Sequence, residues 1–282
     1  MRDVPESRRP EDEEPTRRPA EGERTAIGGC HGQFTMAAEL ILEALIARKL
    51  EAVRVADPEA GHLDDLQLIG PSRVDGYQIK WSRYGEPLSF DDLTRPIGRQ
   101  PSLIAQLATG WRDGQRAHSS KRFVAHLRTN RRPSTTDTVT SDASGGARHF
   151  AAFLAQSWEP VHAGEDATIR AGRWADAWAQ LQEAAGLSDR DLVPFVADCS
   201  LEIGVVAAAP VPDSAVAQQR SNDIEELAQY IYRVVASPRR SLNFRSTVSS
   251  PNSVGRRDWS SRLVTSVSMR VGIRRSGAQK MR

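Results

Sequence analysis

Apolar residues first recur with helical spacing at Phe34, Ala37, Ala38, Ile41, Leu42 and Leu45, which fall at i, i+3, i+4, i+7, i+8 and i+11. The stripe predicts an amphipathic helix over about residues 33–49, led in by Gly28, Gly29 and Gly32. Three short runs follow, each closed or opened by turn residues. Residues 52–56 (AVRVA) stop at Asp57-Pro58-Glu59-Ala60-Gly61, residues 65–69 (DLQLI) stop at Gly70-Pro71-Ser72, and residues 76–81 (GYQIKW) follow Asp75. These read as strands. Pro101 then precedes a second helix, over residues 102–112, with Leu103, Ile104, Leu107 and Trp111 on one face. Residues 122–130 (RFVAHLRTN) make a fourth strand. The order helix, three strands, helix, strand predicts an α/β unit with both helices packed on the sheet.

Beyond it the pattern changes twice. Residues 131–148 are rich in Ser, Thr and Gly and read as a loop or linker. Next, Phe150, Phe153, Leu154 and Trp158 share a helical face, as do Trp174, Trp178, Leu181 and Ala185. Ser188 is a candidate cap for a helix carrying Leu192, Phe195, Val196 and Cys199. Ser221 or Asn222 is a candidate cap for one carrying Ile224, Leu227, Ala228, Ile231 and Val235. The aromatic residues are expected in the core, and residues 149–237 are expected to be all-helical. Residues 1–25 hold almost no apolar side chains and are expected to be a disordered arm. Residues 238–282 carry ten Arg and ten Ser with no period. They are expected to be a disordered basic tail, and the abrupt switch fits a frameshifted or truncated gene. The expected organisation is an arm over 1–25, an α/β domain over 26–135, a helical domain over 149–237, and the tail.

Composition narrows the class. A chain of 282 residues accommodates one or two domains. It has no run of about 18 apolar residues to span a membrane, and its start lacks the apolar core of a secretory signal. Two cysteines, Cys30 and Cys199, cannot build a disulfide framework, and both are expected to be inert thiols of a cytoplasmic protein. The net charge of +2 conceals a tail of +10 on a body of −8. The six histidines lack metal-binding spacing, and no nucleophile elbow is present.

Chemistry concentrates in residues 57–81. Alternation puts Gln78 and Lys80 on one face of their strand, with Tyr77, Ile79 and Trp81 on the other. On the preceding strand Asp65 shares a face with Gln67. If the two strands pair as a hairpin, Asp65, Gln78 and Lys80 converge. Asp64 ranks second, because alternation puts it with Leu66 and Leu68. Phosphodiester hydrolysis needs such a set. A hard cation takes oxygens, here Asp65, the Gln78 amide and the Ile79 carbonyl, while a lysine offsets the negative charge that develops on the phosphate.

Gly28-Gly29-Cys30-His31-Gly32-Gln33-Phe34, Asp64-Asp65-Leu66 and Tyr77-Gln78-Ile79-Lys80-Trp81 together resemble the PD-(D/E)xK nuclease superfamily. More narrowly they resemble the double-stranded-DNA endonuclease domain of bacterial anti-phage effectors, which is also found fused to STAND-type NTPases. The resemblance covers residues 26–135 well and 149–237 loosely. It implies that Asp65 is the metal-binding acid, Gln78 the replacement for the second acid and Lys80 the catalytic lysine. Gln33 falls where relatives carry Glu or Gln on the first helix, and Asp57 where some carry an acid after the first strand. A neutral Gln78 shifts the burden to Asp65 and to a second carboxylate, Asp57 or Asp64.

The implied protein is a Mg²⁺ (or Mn²⁺) endonuclease acting on double-stranded DNA, with a second copy of the chain as a further candidate partner and no membrane. No phosphate-cradling G-x-x-x-x-G-K-[ST] loop occurs, so the NTPase partner domain is expected to be absent. Two alternatives stand beside it. One is a catalytically inactive nuclease-fold remnant that binds or oligomerises, favoured by the acidic body. The other is a nucleic-acid binder acting through the basic tail alone.

Overall fold

Gly32 is where the observed first helix departs from expectation. Helix α1 spans Pro19–Ile46 and runs through the glycines instead of starting after them. A Cβ at Gly32 would lie 2.3 Å from the Trp81 ring, so the missing side chain lets α1 close on the end of a strand. The computed structural model describes residues 19–141, 147–165, 172–205, 215–235 and 242–245. The expected arm therefore falls outside the described residues up to 18 and is helical from 19 onward.

Strands β1 (Ala52–Val55), β2 (Leu66–Ile69) and β3 (Arg73–Lys80) follow. Then come α2 (Phe90–Thr94), α3 (Leu103–Ala117) and β4 (Arg122–Thr129). Each break has local chemistry behind it. Asp57 caps a single 3₁₀ turn, accepting from the Glu59 amide. Ser89 and Asp92 form a capping box on α2, and Ser102 caps α3. A short hairpin, β5 (Thr140–Ser141) and β6 (Ala147–Arg148), precedes α4 (Phe150–Phe153). One π-helical turn leads from α4 into α5 (Glu159–His162), followed by α6 (Ala175–Ala185) and α7 (Asp189–Ala197). Strand β7 (Cys199–Ile203), helix α8 (Ala215–Val235) and strand β8 (Leu242–Arg245) complete the described chain.

The main sheet has the order β7-β4-β3-β2-β1-β8. It is mixed: β3–β4 and β4–β7 are parallel, and the other pairs antiparallel. The protein is thus an α/β protein, with helices on both faces of the sheet. One face, carrying Val74, Phe123, Ala125 and Leu127, packs with α2, α3 and α4–α7 in a single cluster of buried side chains. The other, carrying Val53, Val55, Leu66, Leu68, Tyr77 and Ile79, packs under α1 and α8. The aromatic residues lie in the core as expected. Trp158 stacks on Trp178, and Phe153 meets the edges of Trp174 and Trp178.

Three readings need correction. Residues 149–237 are not all-helical, because β7 joins the sheet beside β4. Cys199, Leu201 and Ile203 face the core and Ser200 and Glu202 the opposite side. This five-residue alternation directly follows a helix, so Cys199 reads equally well as the end of that helix. The Ser/Thr-rich loop, as expected over residues 131–148, is pinned at Asp137. The Asp137 carboxylate accepts from the Phe90 and Phe150 amides, 2.9 Å each, and so caps α2 and α4 together. Residues 242–245 of the supposed aperiodic tail pair with β1, and the remainder of the tail lies outside the described residues. Further, Ser221 and Asn222 lie inside α8 instead of capping it. Cys199 is fully buried and burial raises its thiol pKa, whereas Cys30 is half-buried. Among the described residues, no helix is long and apolar enough to cross a membrane.

Beneath α1, β3, β4 and β7 carry a buried polar chain. His126 lies between two carboxylates, Nε2 2.8 Å from Asp75 and Nδ1 2.8 Å from Glu202. Arg128 bonds Glu202 at 2.5 Å and approaches Glu39 of α1 at 3.7 Å. The Tyr77 ring stacks on the imidazole at 4.3 Å. Carboxylates only accept, so both ring nitrogens donate and His126 is an imidazolium.

The tightest helix–sheet approach is testable. A Cβ on Gly114 of α3 would lie 2.4 Å from the Phe123 ring. Gly114→Ala should therefore cost roughly 1–3 kcal/mol in urea denaturation despite alanine's better helix propensity. Unchanged or increased stability would show that the ring yields freely.

Candidate active site at the ends of the central strands

Asp65 immediately precedes β2, and Gln78 and Lys80 close β3. The ladder sets Leu66 opposite Tyr77, so one step further Asp65 sits beside Gln78. Pleating puts Gln78 and Lys80 on the α2–α3 face of β3, and Asp65, just outside β2, reaches Gln78 at the strand end. Asp65 Oδ2 accepts two hydrogen bonds, from Gln78 Nε2 at 2.5 Å and from the Ile79 amide at 2.7 Å. Asp65 Oδ1 and Gln78 Oε1 have no hydrogen-bond partner among the described residues.

Gln33 arrives from α1, where the sequence pattern places it. Its Nε2 donates to the Ile79 carbonyl at 2.8 Å. A cavity of about 170 Å³ opens between Gln33, Phe34, Ala56, Asp65 and Ile79. Burial pushes the Asp65 carboxyl above the ordinary carboxylate range. The Ile79 amide and the charge of Lys80 pull it the other way, and neighbouring Asp64 adds to the rise. The Lys80 side chain makes no ion pair or hydrogen bond among the described residues. Its side chain lines a second cleft, of about 270 Å³, shared with Ser82, Leu88, Gln100, Leu127 and Arg131. Carboxylate and amine thus stand at the same end of β3, Asp65 lining a hollow on the α1 side of the sheet and Lys80 one on the α2–α3 side.

Asp57 does not join them. Its carboxylate is buried as the cap of the 3₁₀ turn, with Arg54 at 3.9 Å, and it does not line the Asp65 cavity. Asp64 is half-buried and acts on Asp65 through its charge. Among the described residues, no three His, Cys, Asp or Glu side chains converge on a point that could hold a metal ion. The donor set that fits a hard cation is smaller: one carboxylate oxygen, one amide oxygen and the second lone pair of the Ile79 carbonyl. Mg²⁺ is commonly held by one or two carboxylates, with water and substrate phosphate completing its shell. Three residues with structural parts here carry no motif. Gln67 is buried on the Gln78 face of the sheet with its Oε1 unpartnered. Asn130 brackets Ser82 with two bonds, 2.9 and 2.8 Å, and Arg131 grips the carbonyls of Glu86 and Pro87. A strand end followed by Asn-Arg-Arg was the only sign of the last two.

Compared with known proteins, the chain matches no protein-family model, and no curated protein matches it.

Proposed function

We propose that this protein is a metal-dependent endonuclease that hydrolyses phosphodiester bonds of double-stranded DNA, on a core of PD-(D/E)xK type, as an effector of bacterial anti-phage defence. The observation that carries the reading is the Asp65–Gln78 hydrogen bond across paired strands, with Lys80 two residues on along the same face. The order of α1, β1–β3, α3 and β4 supports it. Asp65 and Gln78 are the residues that would hold Mg²⁺ or Mn²⁺. The bound cation would polarise a phosphate oxygen and acidify a water. Lys80 offsets the charge that grows on the phosphate and orients the attacking oxygen. Gln33 fixes the Ile79 carbonyl and, with it, the strand end that presents Gln78 and Lys80. The products expected are a 5′-phosphate and a 3′-hydroxyl.

End-labelled duplex incubated with the full chain and Mg²⁺ should be cut into fragments that DNA ligase reseals, with EDTA preventing the cut. Intact duplex across Mg²⁺ and Mn²⁺ would contradict the proposal. The lone carboxylate at the site favours one competing reading, a nuclease fold retained only for binding or self-association. That reading requires that the protein take up neither Mg²⁺ nor Mn²⁺ in a direct titration.

A further inference from the structure

Two exposed loop tips flank the Lys80 cleft, and their make-up matches. The β3–α2 loop presents Arg83-Tyr84-Gly85, and the α2–α3 loop presents Ile97-Gly98-Arg99. Each tip combines an arginine, a large apolar side chain and a glycine at positive φ, +64° at Gly85 and +60° at Gly98. Tyr84 and Ile97 are 74% and 67% exposed; among the described large apolar residues Ile46, at 71%, is the one other that is more than half exposed. A Cβ on either glycine would touch nothing, so both tips project into solvent.

Neither tip is loose. Asn130 holds the first loop at Ser82, and Arg131 holds it at Glu86 and Pro87 through bonds of 2.9 and 2.6 Å. Arg131 is itself anchored on Asp92 at 2.7 Å. The second tip is closed by reciprocal backbone bonds between Ile97 and Gln100, 3.2 and 3.0 Å. Arg83 and Arg99 make no ion pair among the described residues, whereas Arg95 on the same loop pairs with Asp91. Uncovered apolar groups carried on rigid, unpaired cations suit a partner that is anionic along its length and apolar between its charges. Duplex DNA has that pattern: a phosphate backbone beside sugar and base edges.

We infer that these tips are two prongs that straddle duplex DNA across the Lys80 cleft, Arg83 and Arg99 on phosphates and Tyr84 and Ile97 against sugar and base edges. The inference rests on the nuclease reading for its choice of partner, but it concerns binding and not the chemical step. Arg131 and Asn130 are then positioning residues that keep the first prong in place.

The test is equilibrium binding of a short duplex to the full chain in EDTA, followed against salt, with cleavage in Mg²⁺ measured separately. Each phosphate contact contributes about 0.9 to the slope of log affinity against log salt. Arg83→Gln with Arg99→Gln should lower that slope by about 2. Between about 50 and about 200 mM salt the wild type would then lose roughly tenfold more affinity than the double variant. Tyr84→Ala with Ile97→Ala should weaken binding roughly tenfold at unchanged slope, as loss of apolar contact requires. Arg190→Gln, exposed on α7, is the control and should leave the slope as it is. Thermal denaturation of each variant should match the wild type. An unchanged slope in the arginine pair, or no duplex binding by the wild type, overturns the prongs. If the wild type cuts DNA while the arginine pair binds normally, the prongs fail and the nuclease reading stands. If binding depends on the prongs but no cleavage occurs in Mg²⁺, the nuclease reading fails and the prongs stand.

Discussion

Lys80→Ala should reduce duplex cleavage in Mg²⁺ by at least about 10²–10³-fold, the loss typical when one preorganised electrostatic group is removed from a reacting centre. The fold should survive, because the Lys80 side chain is half-exposed and bonds to no neighbour among the described residues. The strand keeps its place through backbone pairing of Lys80 with Thr129. Lys80→Arg should recover little: a planar guanidinium is a poor stand-in for a compact ammonium. Single-turnover cleavage combined with circular dichroism separates chemistry from folding. A Lys80→Ala protein that is folded and cuts at the wild-type rate would remove Lys80 from the site and with it the assigned reaction.

The second large effect is on stability. His126→Leu should cost about 3 kcal/mol, toward the lower end for breaking a buried charge pair. Asp75 and Glu202, on the strands either side of β4, would be left without their shared cation. Both keep some solvent, with 22% and 24% of their side chains exposed, which moderates the loss. Adding Asp75→Asn and Glu202→Gln should recover much of it, because the strain lies in uncompensated charge and not in packing.

The same cluster sets a pH dependence. Burial alone would lower the His126 pKa, but its hydrogen bonds to Asp75 and Glu202 outweigh that and raise it above the ordinary histidine value. Those bonds, with Arg73 beside Asp75 and Arg128 beside Glu202, hold both carboxylates below their usual range. Burial, with the charges of the same two carboxylates, pushes the Tyr77 hydroxyl up, and it stays neutral. The histidine's contribution is therefore complete below about pH 6.5 and is lost as pH rises through its own higher pKa. The carboxylates contribute above their free values near 4 and lose that as pH falls through their depressed ones. Urea midpoints should thus be highest between about pH 5 and 6.5 and decline on the alkaline side. In the His126→Leu protein the alkaline decline should be much weaker.

Much of the central unit is legible in the chain because its signals are local. Gly70-Pro71-Ser72 stops β2, Ser102 caps α3, and alternation alone puts Gln78 and Lys80 on one face. The hairpin register follows from Leu66 and Leu68 needing the same buried side as Tyr77 and Ile79. Asp65 and Gln78 are therefore matched by the sequence pattern alone. Other features depend on partners far along the sequence. Gly32 reads as a helix breaker until Trp81 is seen lying against it. Asp137 reads as one more loop residue until both Phe90 and Phe150 donate to it. The His126 cluster joins residues from three parallel strands, and no short-range pattern marks such a set. Asp57 shows the opposite failure. An acid after the first strand has the type a metal site needs, but Asp-Pro-Glu is also a turn signature, and local capping claimed the carboxylate.

In the proposed function Asp65 and Gln78 offer oxygens to one divalent cation. Mn²⁺ binding, followed by electron paramagnetic resonance on the full chain, tests this without relying on cleavage. The wild type should take up Mn²⁺, Asp65→Asn should lose that uptake, and Gln78→Ala should weaken it. Uptake that persists unchanged in Asp65→Asn would place the ion elsewhere and contradict the site.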